Sequence, residues 1–255
     1  MLDQQTIDKL HTMHMTGMAC AFREQLSQNK NYQTLSFEER VGLMVDREWT
    51  DRQAKRFSRR LAAAKLREQS CLENIDHQTP RGLDKRTLQR LATCQWVREY
   101  QNILLVGPTG IGKTYVACAL AEKACREGFS SYYRRTPRLL QELTATRLDG
   151  TYARTLTKLE KIDVLILDDW GMAPMTDQER RDLFEILEDR YHKRSTIVTS
   201  QLPFAEWHNN LSEPTFADAI LDRLLHNAYK ITLTGESMRK KLSTLEKQED
   251  TDKGI

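Results

Sequence analysis

The segment Gly107, Pro108, Thr109, Gly110, Ile111, Gly112, Lys113 and Thr114 puts three glycines, a lysine and two threonines where an apolar run, QNILLV, gives way to a helical pattern, YVACALAEKA. Glycines let a backbone fold closely around an anion. The following helix turns its unpaired N–H groups and the positive end of its dipole toward that anion. The chemistry implied is phosphate binding: Lys113 reaches the terminal phosphates, the Thr114 hydroxyl takes Mg2+, and Gly107 and Gly112 permit the close approach. A second group stands in VLILDDWG, an apolar strand pattern that delivers Asp168 and Asp169 at its carboxyl end. In a parallel sheet that is also the edge where the phosphate loop lies. Asp168 is the expected Mg2+ ligand, and Asp169 is expected to orient or deprotonate an attacking water.

These groups need a scaffold, and the pattern from about Tyr100 onward supplies one. Strands are expected near 102 to 106, in SSYYRR, DVLILD, STIVTS and YKITLT. Helices are expected at 113 to 127, 138 to 147, 151 to 161, 177 to 192 and 215 to 228. Such alternation predicts an α/β fold, a parallel sheet flanked by helices. Residues 1–75 contain no proline and read as a small all-helical N-terminal domain. Residues 76–98 read as a connector carrying a short helix near 84 to 92, residues 99–245 as the sheet domain, and the charged segment 246–255 as a disordered tail.

With 255 residues and a formal charge of +3, overall charge barely favours nucleic acid, so its distribution must decide. At ~100° per residue, Arg52, Lys55, Arg56, Arg59, Arg60 and Arg67 fall within an arc of ~140°, opposite Phe57, Leu61 and Ala64. No acid interrupts residues 52–67. The stripe is expected to contact duplex DNA through phosphates, largely independently of base sequence. Five cysteines without a Cys-x-x-Cys pair read as reduced packing residues, and His11-x-x-His14 has no acidic or cysteine cluster to complete a metal site. No apolar run approaches membrane-spanning length and the N-terminus has no signal-peptide core, so a soluble cytoplasmic protein is expected.

The acid pair lies 55 residues beyond the phosphate-loop lysine, with SSYYRR and helices between, and TIVTSQLP supplies a further polar strand end. Together these resemble the additional-strand ATPases, and residues 80–240 look like an AAA+ ATPase of the initiator and helicase-loader group. More closely, LSFEERVGLMVDREWTDRQAKRFSRRLAAAKL, RGLDKRTLQRLA, LLVGPTGIGKT and VLILDDWG resemble the IstB-type transposition helper ATPases over almost the whole chain. The resemblance implies an ATP- and Mg2+-dependent ATPase that assembles as a homo-oligomer on DNA and regulates a partner transposase. It also implies that Ser200 or Gln201 senses the γ-phosphate and that Arg239 falls near a second nucleotide-sensing arginine. By the same resemblance Arg223, which by itself reads as a surface ion pair beside Asp222, reaches the nucleotide of a neighbouring subunit. The helix pair carrying Arg147, Arg154, Lys158 and Lys161 would line the DNA side. Three other readings use parts of the same pattern: a helicase loader of the DnaC type, a small-molecule P-loop kinase, and an ATP-binding scaffold that hydrolyses hardly at all.

Overall fold

The computed structural model describes residues 2–76 and 81–238. Arg239 and the segment 246–255 lie outside the described residues. By packing, the chain divides into two units, Met1–Arg59 and Arg60–Ile255.

The first unit contains α1 (Leu2–Thr12), α2 (Thr16–Ser27), α3 (Asn29–Tyr32) and most of the long α4 (Phe37–Ala64). A capping box starts α4: Ser36 Oγ accepts the Glu39 N–H at 3.2 Å, and the Glu39 carboxylate accepts the Ser36 N–H at 2.7 Å. Helix α2 meets α4 at Gly17, where a Cβ would stand 2.8 Å from Asp51 Oδ2 and 2.9 Å from Glu48 Cα. Glu48 accepts the first-turn Met18 N–H of α2 at 3.0 Å, satisfying a donor the helix cannot pair itself.

The second unit begins with the end of α4 and a connector. The helical pattern does not continue to residue 75: α4 stops at Ala64, Lys65 takes a left-handed φ of 51°, and Leu66, Leu72 and Ile75 turn into the core of the sheet unit. A 3-10 turn (Leu72–Asn74), α5 (Lys85–Ala92) and α6 (Gln95–Arg98) follow. The alternating portion comprises β1 (Asn102–Val106), α7 (Lys113–Arg126), β2 (Ser131–Arg135), α8 (Thr136–Leu148), α9 (Tyr152–Lys161) and β3 (Val164–Trp170). It continues with α10 (Asp177–Arg190), β4 (Ser195–Ser200), α11 (Phe204–Leu211), α12 (Pro214–Leu225) and β5 (Ala228–Thr232).

All five strands pair in parallel in the order β2-β3-β4-β1-β5. Side chains alternate between two cores: Ile103 and Leu105 of β1 with Val164 and Ile166 of β3 face one, and Leu104, Val106, Leu165 and Leu167 face the other. Burial on both faces explains the near-continuous apolar runs. Arg190 ties the sheet's amino-terminal edge together. Its guanidinium donates to Leu159 O at 2.6 Å, Ile162 O at 2.7 Å and Ser195 O at 2.5 Å. Burial lowers its pKa to about 9, so it stays charged at neutral pH. Helix α11, absent from the expected series, seats the buried Trp207 against Trp170, with ring centroids 5.4 Å apart.

Candidate nucleotide site

Strand β1 ends at Val106, and the loop 107–112 leads into α7, whose N-cap is Gly112 at φ 100°. The loop is folded against the chain beyond β5: the Leu233 N–H donates to Val106 O at 2.7 Å and the Met238 N–H to Gly110 O at 2.9 Å. A Cβ on Gly107 would lie 2.3 Å from Leu233 O, so glycine is required there for close approach as well as for turning. Lys113 is 8% exposed and curls over the loop, its Nζ donating to Gly107 O at 2.7 Å and Pro108 O at 2.9 Å. In front of the loop lies a cavity of about 600 Å³, a size suited to a nucleotide. Thr109, Gly110, Gly112, Lys113, Thr114 and Tyr115 line one side, and Asp169, Gln201 and Arg135 come from the sheet edge. The connector adds Arg67, Glu68, Asn74, Asp76 and Arg81. Ile111 is buried in the core beneath the loop, whereas Pro108 is exposed.

The acid pair is split by its backbone. Asp168 is 0% exposed and lies directly behind Thr114, whose Oγ1 donates to it at 3.0 Å. Tyr133 Oη donates to Asp168 Oδ2 at 2.6 Å, and Thr199 Oγ1 donates to Oδ1. Burial and the hydrogen bond to Asp168 push the Tyr133 hydroxyl well above the ordinary phenol range, which keeps it a donor. Arg67 Nη1 stands 3.8 Å from the same carboxylate. Asp169 has a left-handed φ of 59°, a region that Asp enters more readily than most non-glycine residues. That turn sends its carboxylate into the cavity, where Arg135 Nε at the end of β2 holds it at 2.6 Å.

The end of β4 separates the two sensor possibilities. Ser200 is fully buried and turned back, donating to Trp170 O at 2.8 Å. Gln201 lines the cavity, and its Oε1 accepts the Thr109 hydroxyl at 2.6 Å. Arg223 is absent from this cavity. Its Nε pairs with Glu188 at 2.5 Å, and its guanidinium lies over the Phe184 ring at 5.1 Å.

Two members of the basic stripe belong elsewhere. Because the helix ends at Ala64, Arg67 leaves the α4 face and enters the nucleotide cavity, and Arg60 Nη1 donates to Cys125 O at 3.0 Å at the end of α7. Arg52, Lys55, Arg56 and Arg59 are all exposed; Arg52 pairs with Glu48 at 2.5 Å and Lys55 donates to Thr16 Oγ1 at 2.9 Å. In the inserted helices Arg147 is held by Asp182 at 2.5 Å, Lys158 stands over the Tyr132 ring at 5.3 Å, and Arg154 and Lys161 are exposed.

Sequence reasoning missed Tyr133, Arg135, Thr199 and Arg81. Tyr133 and Arg135 are two apart on β2 and so share a face, a usable signal. That this strand adjoins β3, with Arg135 beside Asp168, is a matter of sheet order. The described residues contain no cluster of three or more His, Cys, Asp or Glu able to hold a metal ion by themselves. Thr114 and Asp168 are hard oxygen donors of the kind that suits Mg2+, an ion that takes few protein ligands and keeps waters and substrate phosphates. None of the helices, among the described residues, is long and apolar enough to cross a membrane.

Residues 8–246 match the family described as IstB-like ATP binding protein. The chain is 49% identical over 240 residues, 94% of this chain and 98% of the relative, to the insertion sequence ATP-binding protein y4pL of Sinorhizobium fredii. It is 34% identical, over 92% of this chain and 87% of the relative, to the insertion sequence IS21 ATP-binding protein of Pseudomonas aeruginosa. Among solved structures, DnaI aligns with a TM-score of 0.56 at 27% identity, covering 65% of this chain and 92% of that one. The DnaC helicase loader aligns with a TM-score of 0.53 at 21% identity, covering 65% and 97%, which shows the shared AAA+ P-loop fold.

Proposed function

Since the chain belongs to the IstB-like ATP-binding protein family, we propose that it hydrolyses ATP in a site completed by a neighbouring copy and uses that cycle to assemble on duplex DNA and regulate a partner transposase. Family membership leaves the small-molecule kinase reading without support. The observation that carries the ATPase reading is the convergence on one cavity of the phosphate loop, Thr114 backed by Asp168, the outward-turned Asp169, and Gln201.

In this reading the α7 N-terminus and Lys113 bind the phosphates, and Gln201 contacts the γ-phosphate while anchored by Thr109. Thr114 and Asp168 would hold Mg2+, which supplies charge neutralisation at the phosphate oxygens. Asp169 orients the attacking water and takes its proton once its carboxylate is released from Arg135. Asp169→Asn should therefore bind ATP with near-normal affinity and hydrolyse it on the order of 10² times more slowly. Turnover equal to the unsubstituted protein, in a phosphate-release assay, would remove Asp169 from this role, and hardly any phosphate release by the unsubstituted protein itself would favour the hydrolysis-poor scaffold.

For DNA, the exposed Arg56 and Arg59 of α4 carry the proposal, with the exposed Arg154 as a second contact region. Replacing both Arg56 and Arg59 with Glu should weaken binding to two unrelated duplexes about equally, because phosphate contacts hold no base information. The slope of log affinity against log salt should flatten by ~0.9 per lost contact, up to ~2 for the pair. Fluorescence anisotropy over a salt series with ATP measures both. Unchanged affinity and slope would shift the DNA site to the inserted helices.

A further inference from the structure

The nucleotide cavity contains a buried cation that the phosphate loop itself does not supply. Arg81 lines it while only 4% exposed. Its Nη1 donates to Ile111 O at 3.2 Å and its Nη2 to Asp76 O at 3.1 Å. Main-chain carbonyls solvate a guanidinium without neutralising it. The third donor, Nε, is buried with no hydrogen-bond partner among the described residues. Burying a charge is costly unless an opposite charge meets it, and a buried donor left unpaired adds to that cost. The guanidinium also sits where the loop turns into α7: a Cβ on Gly112 would be 2.9 Å from Arg81 Nη1. The backbone of Arg81 is fixed from the other side, its carbonyl accepting the Thr234 N–H at 3.0 Å.

We propose that Arg81 is a nucleotide-binding residue, its guanidinium meeting the α- and β-phosphate oxygens that the Gly112–Thr114 amides cradle. The inference rests on the ATP-binding reading above. A guanidinium suits the task because it is permanently charged and presents several donors in a rigid fork. The contact belongs to the inner phosphates, so it serves ATP and ADP alike, unlike contacts reserved for the γ-phosphate.

The discriminating variant is Arg81→Gln, which removes the charge but keeps a donor for the Ile111 and Asp76 carbonyls. Calorimetric titration with ATP and with ADP should show both weakened by about 10- to 100-fold, the loss of a charge-assisted hydrogen bond. Arg81→Lys should recover much of that loss. The melting temperature without ligand should not fall in Arg81→Gln, since a buried charge has been removed, while the rise on adding ADP should shrink. Unchanged ADP affinity in Arg81→Gln, or a lower ligand-free melting temperature with an undiminished ADP-induced rise, would make Arg81 a staple between connector and loop and overturn the proposal. If Arg81→Gln does not fold, Arg81→Lys decides, because an ammonium cannot present the guanidinium's fork: ATP and ADP both weakened several-fold supports the proposal, and unchanged affinity for both overturns it. Absence of nucleotide binding by the unsubstituted protein would instead refute the reading on which the proposal stands.

Discussion

Arg223→Ala is expected to bind ATP as tightly as the unsubstituted protein and to hydrolyse it slower by about 10³-fold or more, the range by which an arginine supplied to a neighbouring site accelerates phosphoryl transfer. The residue lies near the end of α12, outside its own chain's cavity, so its removal leaves the phosphate loop untouched. In the single chain it is held by Glu188 at 2.5 Å and Ala219 O at 3.1 Å, and the Phe184 ring stacks beneath it. Those contacts fix the guanidinium at a partly exposed position, and exposed ion pairs of this kind add little stability, so the variant should fold. Mixing tests the trans assignment. Arg223→Ala subunits combined with Lys113→Ala subunits should regain activity, because one mixed interface joins an intact nucleotide site to an intact arginine. Absence of recovery in a proven mixed assembly, or undiminished hydrolysis by Arg223→Ala alone, would return Arg223 to the role of a surface ion pair.

Asp168→Asn should bind nucleotide without Mg2+ almost normally and lose at least ~10² in Mg2+-dependent turnover, because the charge that would hold the ion is gone. The geometry argues that the fold survives. Thr114, Tyr133 and Thr199 all donate hydroxyls to this carboxylate, and a hydroxyl can rotate to accept as well as donate. An asparagine amide of the same shape can therefore be satisfied without a cavity or an unpaired group. Turnover measured across a Mg2+ titration, alongside thermal melting, checks both halves. A variant with full activity at saturating Mg2+ would show that the carboxylate charge is dispensable, and one that fails to fold would make Asp168 chiefly a structural anchor for the three hydroxyls.

What the sequence by itself determined is local. The glycine spacing and Lys113–Thr114 announce a phosphate loop because the backbone freedom and the helix start they need are properties of adjacent residues. The five strands and all but α11 of the helices between them were legible, the central strands because burial on both faces writes continuous apolar runs such as NILLV and VLIL. The end of α4 was less legible: AAAKLRE contains neither glycine nor proline, so angular arithmetic carried the helix on to Arg67. The apolar positions Leu66, Leu72 and Ile75 instead gain more by packing on the sheet unit than by continuing the helix, and Arg67 follows them into the nucleotide cavity. Only the tertiary structure decided what surrounds the acids. Strand β4 lies between β1 and β3, bringing Thr199 and Gln201 between the phosphate loop and the acid pair, and β2 lies on the far side of β3, bringing Tyr133 and Arg135 to Asp168 and Asp169. These neighbours come from separate strands, and strand order is fixed by how helices cover both faces of the whole sheet, a constraint that no local stretch of sequence contains.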